Sequence, residues 1–464
     1  MQTWQWRPAP VLTVLGGLSA GSYVVLFLLG GLRARVPEFL LCFSVAALCY
    51  GVAIFFMRRR CSTPPAPGRW LAGILLPALL FRCLLLFSPP SLSDDINRYV
   101  WDGRVSMAGH NPYQYAPPHE ALADLRDEDV YPSINHPHMP TVYPPVQQAI
   151  FAVTSWMQDS VFAFNFASFL GELGCLAALT WLVFRLKLHP ANLLVYAWNP
   201  LIIIEFAGSG HHDSPGMMLL IIAFGLLVTS RKASSVWLLG LAVLTKFLPL
   251  ILAPLWYGRR FLKPVALLVL LCACAYLPFV IGGVDPFISF RTYVTHWRFN
   301  DFLYTIMYET LSWMPVPEVY IVARLITIAI FGFLYFHLFR QRLQKPASLN
   351  VHQLADGTVL LLGVWFLLSP AIHPWYLSWY VPFLAISFRW SWCLATLTAP
   401  FSYIVLIRFV QDGIWEETFL LKALLFLPVC ILLLYEWRQH AKPTALIIEK
   451  TGNHRKNYVP EPLN

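Results

Sequence analysis

Apolar runs of near-membrane-spanning length recur along the whole sequence, near residues 11–31, 38–57, 70–89, 160–184, 191–207, 214–229, 235–256, 264–282, 318–339, 353–371, 375–389, 391–407 and 418–436. A helix needs roughly 20 apolar residues to cross about 30 Å of hydrocarbon. The polar remainder is too small to clothe a soluble core: 58% of the 464 residues are hydrophobic and 12% are charged. That is half the usual charged fraction of roughly 25%. A soluble enzyme is excluded, and the same composition excludes a disordered chain. What remains is an all-α polytopic membrane protein, a bundle of about 12–13 transmembrane segments.

The net charge is +9, from 33 Lys and Arg against 24 Asp and Glu. The basic residues cluster at the ends of apolar runs, where they set orientation, so no nucleic-acid partner is expected. Arg58, Arg59, Arg60 and Arg69 mark one cytoplasmic loop. Arg185 with Lys187, Arg231 with Lys232, and Arg340, Arg342 and Lys345 mark others. Arg33 and Arg35 fall on the wrong side of this scheme. The run 235–256 has basic residues at both ends and carries Lys246, Pro249 and Pro254 inside. Proline breaks helices, and irregular backbone at membrane depth is tolerated only under protein or beside a water-filled cavity. The run therefore reads as a broken or re-entrant segment, which leaves about twelve full spans and both termini cytoplasmic.

The chain divides into a transmembrane domain, 1–437, and a basic cytoplasmic tail, 438–464. No cleavable-signal pattern stands at the N-terminus, because the run 11–31 is long enough to span and no small-residue cleavage site follows it. Of the nine cysteines only Cys61 lies in a polar stretch, so a disulfide framework is not expected.

The longest polar stretch, 91–158, is acidic, proline- and tyrosine-rich, and falls on the extracytoplasmic side. A connection of that length is usually functional or disordered, and its aromatic content argues for function. Four polar clusters share its face: Ser91–Tyr113, Glu205–Gly216, Asp285–Asp301 and Ser369–Tyr380. In the first, Asp94 and Asp95 leave the membrane as a pair. Partial desolvation raises the basicity of a carboxylate and suits it to general-base work. Arg98 and Arg104 could neutralise these acids, and Asp102 lies two residues from Arg104.

The motif order resembles a known group. Asp95 and Tyr99 stand in D-x-x-x-Y, followed by Trp101-Asp102-Gly103, by Gly109 with Asn111-Pro112-Tyr113, and by Tyr143-Pro144-Pro145. Trp198-Asn199-Pro200 with Glu205, the Ser209–Asp213 stretch SGHHD, Lys246 with Pro249, the HWRFN of 296–300 and the SPAIHPWY of 369–376 follow. This order resembles the GT-C superfamily of membrane glycosyltransferases, and within it the bacterial polyprenyl-phosphate-mannose-dependent mannosyltransferases, family eighty-seven and its neighbours. The resemblance implies a GT-C-like helical bundle with its catalytic loop, 91–158, at the outer membrane surface. It implies Asp95 as the catalytic carboxylate, with Asp94 beside it, and a sugar-binding lining that includes Arg98, Tyr99, Asp102 and Tyr113. The donor would be a sugar on a polyprenyl phosphate. The acceptor would be a hydroxyl on a lipid, glycan or protein.

The remaining residues fit that chemistry. The donor phosphate needs cations: Arg298, whose guanidinium can hold two phosphate oxygens, Lys246, costly in an apolar helix unless it has a role, and His296 beside Arg298, which could assist the phosphate or bond to backbone. Lys246 could equally snorkel to the interface. His211, His212 and Asp213 suit substrate contact. Adjacent histidines point apart, so their spacing is poor for a metal and no cofactor is expected. Asp213 could instead cap the following helix. His373, Trp375 and Tyr376 could contact sugar or anchor at headgroup depth. No Gly-rich nucleotide-phosphate loop is present, which favours a lipid-linked donor. The expectation is a multi-pass, inverting hexosyltransferase of a bacterial inner membrane, mannose being the first sugar to test. The alternative is a polytopic lipid or solute transporter or flippase, since transporters share the many-spanning build.

Overall fold

A computed structural model describes residues 8–60, 67–344 and 350–439. Cys61, Lys345 and residues 440–464 of the basic tail lie outside the described residues, and so do the side chains of Arg59, Arg60 and Arg69. The regular structure of the described chain is helical, and its only isolated bridge pairs Phe299 with Ala371. Eight of its helices are long and apolar enough to cross a membrane, and a ninth candidate is the pair Pro190–Ala197 and Pro200–Gly208, bent by 52°. Other apolar runs form shorter helices, Leu71–Leu86, Ser214–Val228 and Lys232–Val243, or are cut into turns at Pro374 and Pro382. The all-α polytopic class holds, and proline is the main reason the apolar runs outnumber the long straight helices.

Polar contacts tie the helix ends together at two opposite levels. At one level the turn after Pro8–Leu29 meets the acidic loop, Leu32 N donating to Ser91 Oγ at 2.8 Å. There Asn165 Nδ2 also donates to the carbonyls of Leu86 and Ala207, at 3.1 and 3.2 Å, and Asn111 Nδ2 donates to Phe279 O at 2.8 Å. At the other level Arg259 Nε donates to Leu343 O at 3.0 Å, Arg389 makes a bidentate pair with Asp356 at 2.8 and 2.9 Å, and Trp390 N donates to Glu436 at 2.8 Å. The acidic loop thus belongs to one end and the described basic turns to the other. Arg33 is the exception in sequence and finds its reason here: it lies at the acidic end, paired with Asp94 at 2.7 Å.

The run 235–256 goes out to the acidic end and comes back. Helix Lys232–Val243 lies antiparallel to Ser214–Val228, stops before Lys246, and gives way to the short turns Leu248–Leu252 and Ala253–Tyr257. Its two ends meet, with Ser235 Oγ 3.0 Å from the Tyr257 hydroxyl. Its tip abuts the helix Pro145–Met157, Leu244 O accepting from Val146 N at 3.0 Å. Gly216 permits the close approach of that tip. A Cβ there would collide with Thr245 Oγ1 and sit 2.8 Å from the Trp379 ring.

Burial separates centre from rim. In their most apolar 18-residue stretches, Val351–Leu368 and Val161–Arg185 have 61% and 56% of residues buried, whereas Leu262–Val280 and Val319–Gln344 have 11% and 17%, as suits helices that face lipid. Among the described residues the centre carries an Arg–Glu ion pair sealed from solvent. Arg82 Nε meets Glu172 Oε2 at 2.5 Å, and Arg82 also donates to the carbonyls of Ala78 and Ala197. Breaking such a pair by removing one partner costs about 3–5 kcal/mol.

Candidate active site

Helix Asp95–Met107 starts at the acidic end with Asp94 as its N-cap residue. Negative charge is favoured at a helix N-terminus, which helps to hold two carboxylates here. Their partners differ. Asp94 is taken by Arg33. Asp95 Oδ1 accepts from Asn135 Nδ2 at 2.5 Å, and Oδ2 faces the Tyr99 hydroxyl at 3.4 Å and His211 Nε2 at 4.0 Å. Tyr99 reaches Asp95 because residues four apart share a helix face. The same spacing gives Asp102 to Arg98, at 2.9 Å, with Thr141 Oγ1 donating at 2.6 Å and Gln148 Nε2 at 3.3 Å. The charge pair suggested between Asp102 and Arg104 is therefore corrected. Two residues on, a helical side chain points away, and Arg104 pairs with Asp127 at 2.5 Å and Asp159 at 2.7 Å.

The second cluster packs against the first. After the bent pair the chain makes a π turn, Ile203–Gly208, that carries Glu205, and such turns often mark functional sites. His211 Nδ1 lies 3.1 Å from Glu205 Oε2 and 3.2 Å from the Glu205 carbonyl. The Tyr403 hydroxyl donates to the same carboxylate, 3.1 Å from each oxygen. The two adjacent histidines do point apart. His212 Nε2 donates to Phe164 O at 2.8 Å, with its ring among Tyr99, Phe151 and Phe164, and burial pushes its pKa down to about 4. Asp213 occupies the N-cap position of Ser214–Val228, but its side chain makes no cap. Instead Asp213 Oδ1 accepts from Lys246 Nζ at 2.5 Å and from Trp379 Nε1 at 2.6 Å.

The fourth cluster closes the site. Trp375 stacks on His211 at 3.8 Å between centroids and on His373 at 4.5 Å. Lys246 Nζ sits 4.0 Å over the Tyr376 ring, and the Tyr376 hydroxyl lies 2.8 Å from that of Tyr293. Burial, reinforced by the nearby His211, Lys246 and His136, drives the His373 pKa down to about 3. The third cluster enters through Tyr293 and Phe299, whose ring stacks on His373 at 4.8 Å. Asp95, 20% exposed, and Lys246, 30% exposed, are open to a ligand, whereas Glu205 and His211 behind them are sealed.

Three sequence candidates stand outside this convergence. Arg298 donates to Asp301 Oδ2 at 2.8 Å and Thr305 at 3.2 Å and lies on Tyr308 at 4.4 Å, in a neighbouring cluster with Lys422 and Glu417. His296 Nδ1 bonds back to Thr292 O in its own helix, at 3.1 Å. Tyr113 donates to Tyr143 O at 2.7 Å and packs on Tyr276 and Phe279. Sequence reasoning had not assigned Glu205, Asn135 or Tyr403 a role at the site. An acid within an apolar stretch was the available signal for Glu205; the other two are ordinary by type. Among the described residues no group of three His, Cys, Asp or Glu side chains is arranged to hold a metal ion.

Comparison with known proteins gives two matches. Residues 11–258, more than half of the chain, match the model of a family described as Alpha-(1->6)-mannopyranosyltransferase, N-terminal domain. The match spans Asp95, Glu205, His211, Asp213 and Lys246. An Alpha-(1->6)-mannopyranosyltransferase B of Corynebacterium glutamicum is 28% identical over 182 residues, which cover 37% of this chain and 28% of that protein. The aligned stretch is thus less than a third of that relative's length.

Proposed function

We propose a mannosyl-transfer function from one premise: the chain belongs to the alpha-(1->6)-mannopyranosyltransferase family. The reaction moves mannose from a polyprenyl phosphate to an acceptor hydroxyl on a lipid, glycan or protein, at the extracytoplasmic face of a bacterial inner membrane. The observation that carries this reading is that a partly exposed carboxylate, Asp95, and a partly exposed cation, Lys246, border the same His211–Trp375–Tyr376 aromatic group. Asp95 takes the proton from the acceptor hydroxyl. The oxygen attacks the anomeric carbon, the bond from that carbon to the phosphate oxygen breaks, and the electron pair leaves with polyprenyl phosphate. A single displacement of this kind inverts the anomeric centre.

Lys246 supplies positive charge for the leaving phosphate, and such placed charge acts where negative charge develops. Both Lys246 and Arg298 are partly exposed and each is paired with an aspartate; Lys246 lies over Tyr376 in the aromatic wall of the site, whereas Arg298 lies in the neighbouring cluster with Lys422, so Lys246 takes the leading phosphate role and Arg298 a supporting one. Trp375 and Tyr376 offer flat faces to the apolar side of a pyranose. The domain division at 437 and the re-entrant character of 235–256 in a membrane belong to the same reading, and the outward-and-back path of that segment supports it. Charge for the leaving group comes from Lys246 and no metal is needed, so EDTA should leave the rate unchanged.

The test uses purified full-length protein with polyprenyl phosphates carrying mannose, glucose or galactose. Release of polyprenyl phosphate from the mannosyl donor alone is expected. Failure to release it from any donor, with the lipid-linked sugar moved intact across a vesicle membrane, would overturn transfer and leave a transporter.

A further inference from the structure

We propose that His211 acts through Asp95 as a positioning residue that shares the proton Asp95 removes, and that Glu205 and Tyr403 hold it for that task. The inference rests on the transfer reading above. Its geometry is a line of four groups contributed by distant parts of the chain. Tyr403 donates to both oxygens of Glu205 at 3.1 Å. Glu205 Oε2 faces His211 Nδ1 at 3.1 Å, and His211 Nε2 faces Asp95 Oδ2 at 4.0 Å.

Both neighbours of Nδ1 are acceptors, the Glu205 carboxylate and the Glu205 carbonyl. Nδ1 must therefore carry a hydrogen, and which ring nitrogen is protonated follows from the partner of the other. In the neutral ring this leaves a lone pair on Nε2. That atom is sealed from solvent and has no hydrogen-bond partner. A buried polar atom without a partner is costly, and this one is aimed at the carboxylate that takes the acceptor proton. Trp375, stacked at 3.8 Å, fixes the ring plane.

The proton balance closes. The acceptor O–H bond breaks and its proton goes to Asp95 Oδ2. A small closure brings that proton to Nε2, forming an imidazolium whose charge Glu205 meets. After polyprenyl phosphate leaves, the proton returns through Asp95, the member of the line open to solvent. The other charged or titratable groups around this line are His373 beyond Trp375, the Lys246–Asp213 pair, His136 near Asp95, Tyr99, and the Arg33–Asp94 pair, whose guanidinium acts on Tyr403. None of these contacts Nε2 in the structure, so the shared proton belongs to the Asp95–His211 pair.

The experiment measures the pH profile of kcat/KM with mannosyl polyprenyl phosphate as donor and octyl α-mannoside as acceptor probe, using full-length wild type, His211→Asn, Glu205→Gln and Glu205→Asp. If the pair titrates as a unit, His211→Asn and Glu205→Gln should both move the acid limb down by about one pH unit or more. Turnover should fall at least about tenfold at unchanged donor KM. Glu205→Asp, which keeps the charge, should recover part of both losses. An unmoved acid limb in His211→Asn, with loss confined to abundance or KM, would overturn the proposal.

A second measurement needs no turnover. An imidazolium stacked on an indole quenches it, so the Trp375 fluorescence, taken as wild type minus Trp375→Phe, should fall on acidification. Asp95→Asn should shift that fall to lower pH. A fall at the same pH with and without the Asp95 charge would overturn the pairing even if no sugar donor reacts. Wild type inert towards every donor would instead sink the transfer reading and leave the fluorescence test to decide the pair.

Discussion

Arg33 distinguishes two adjacent carboxylates. By holding Asp94 at 2.7 Å it leaves Asp95, which faces Asn135, Tyr99 and His211, as the acid of the pair that no Lys or Arg neutralises among the described residues. In single-turnover transfer at matched protein level, Asp95→Asn should slow the reaction by roughly 10²–10⁴-fold, while Asp94→Asn should stay close to wild type. The Arg33 pair is partly exposed, and such pairs contribute about 0–1 kcal/mol. Asp102 plays a different part. Asp102→Asn strands the buried Arg98, a loss of about 3–5 kcal/mol. It should lower the unfolding temperature in detergent, whereas Arg104→Ala should leave the Arg98 site undisturbed. The buried histidines add a pH dependence. His212 and His373 have folded values of about 4 and about 3 against roughly 6.5 in the unfolded chain. Between those values the unfolded chain binds more protons, so stability rises with pH. Thermal unfolding should therefore move to lower temperature as pH drops from about 6.5 towards 4, and should be insensitive to these groups above 7.

At the scale of elements, the segment Lys232–Tyr257 supplies the cation that we propose for the site. Its tip packs under Gly216 and offers Lys246 to Asp213 and to the Tyr376 ring. Lys246→Ala should raise donor KM by about one to two decades, the equivalent of a charged hydrogen bond of roughly 1.5–3 kcal/mol. Gly216→Val should do the same by pushing Thr245 and Trp379 away, although Lys246 itself is intact. Titrating donor against both variants checks this, and an unchanged KM in Gly216→Val would separate the tip from the site. This element was legible in the sequence because it has basic residues at both ends and prolines inside. The position of Asp95 was legible through its motif. The partners of that site were not. Asn135 meets Asp95 from 40 residues away and Tyr403 meets Glu205 from 198, and no local period records such pairings. Arg298 shows a different failure. Its residue type suggested phosphate, but Asp301, three residues on, holds its guanidinium across the non-helical stretch between Ile288–His296 and Phe302–Ser312, where no helical period records the contact. Arg33 stands out in the sequence as an exception to the orientation pattern, but its partner Asp94 lies far along the chain, a pairing that no local period records.

For the whole molecule, all four polar clusters gather at one end of the bundle, and the described basic turns gather at the other. From the positive-inside preference we propose that the end with Asp95 faces away from the cytoplasm. In a cysteine-free background, Asp124→Cys in the exposed part of the acidic loop should react with an impermeant maleimide on intact cells, and Arg231→Cys only after permeabilisation. The opposite labelling would invert the bundle and with it the side on which the donor is used. Orientation, site and family meet in a single claim, that this chain transfers mannose from a lipid phosphate by means of Asp95. The direct measurement follows polyprenyl phosphate released from a mannose-labelled donor by purified wild type and Asp95→Asn. Wild type should release it, and Asp95→Asn should do so roughly 10²–10⁴-fold more slowly while still binding donor. Equal release by the two proteins, or a mannosyl donor left intact by wild type, would contradict the account.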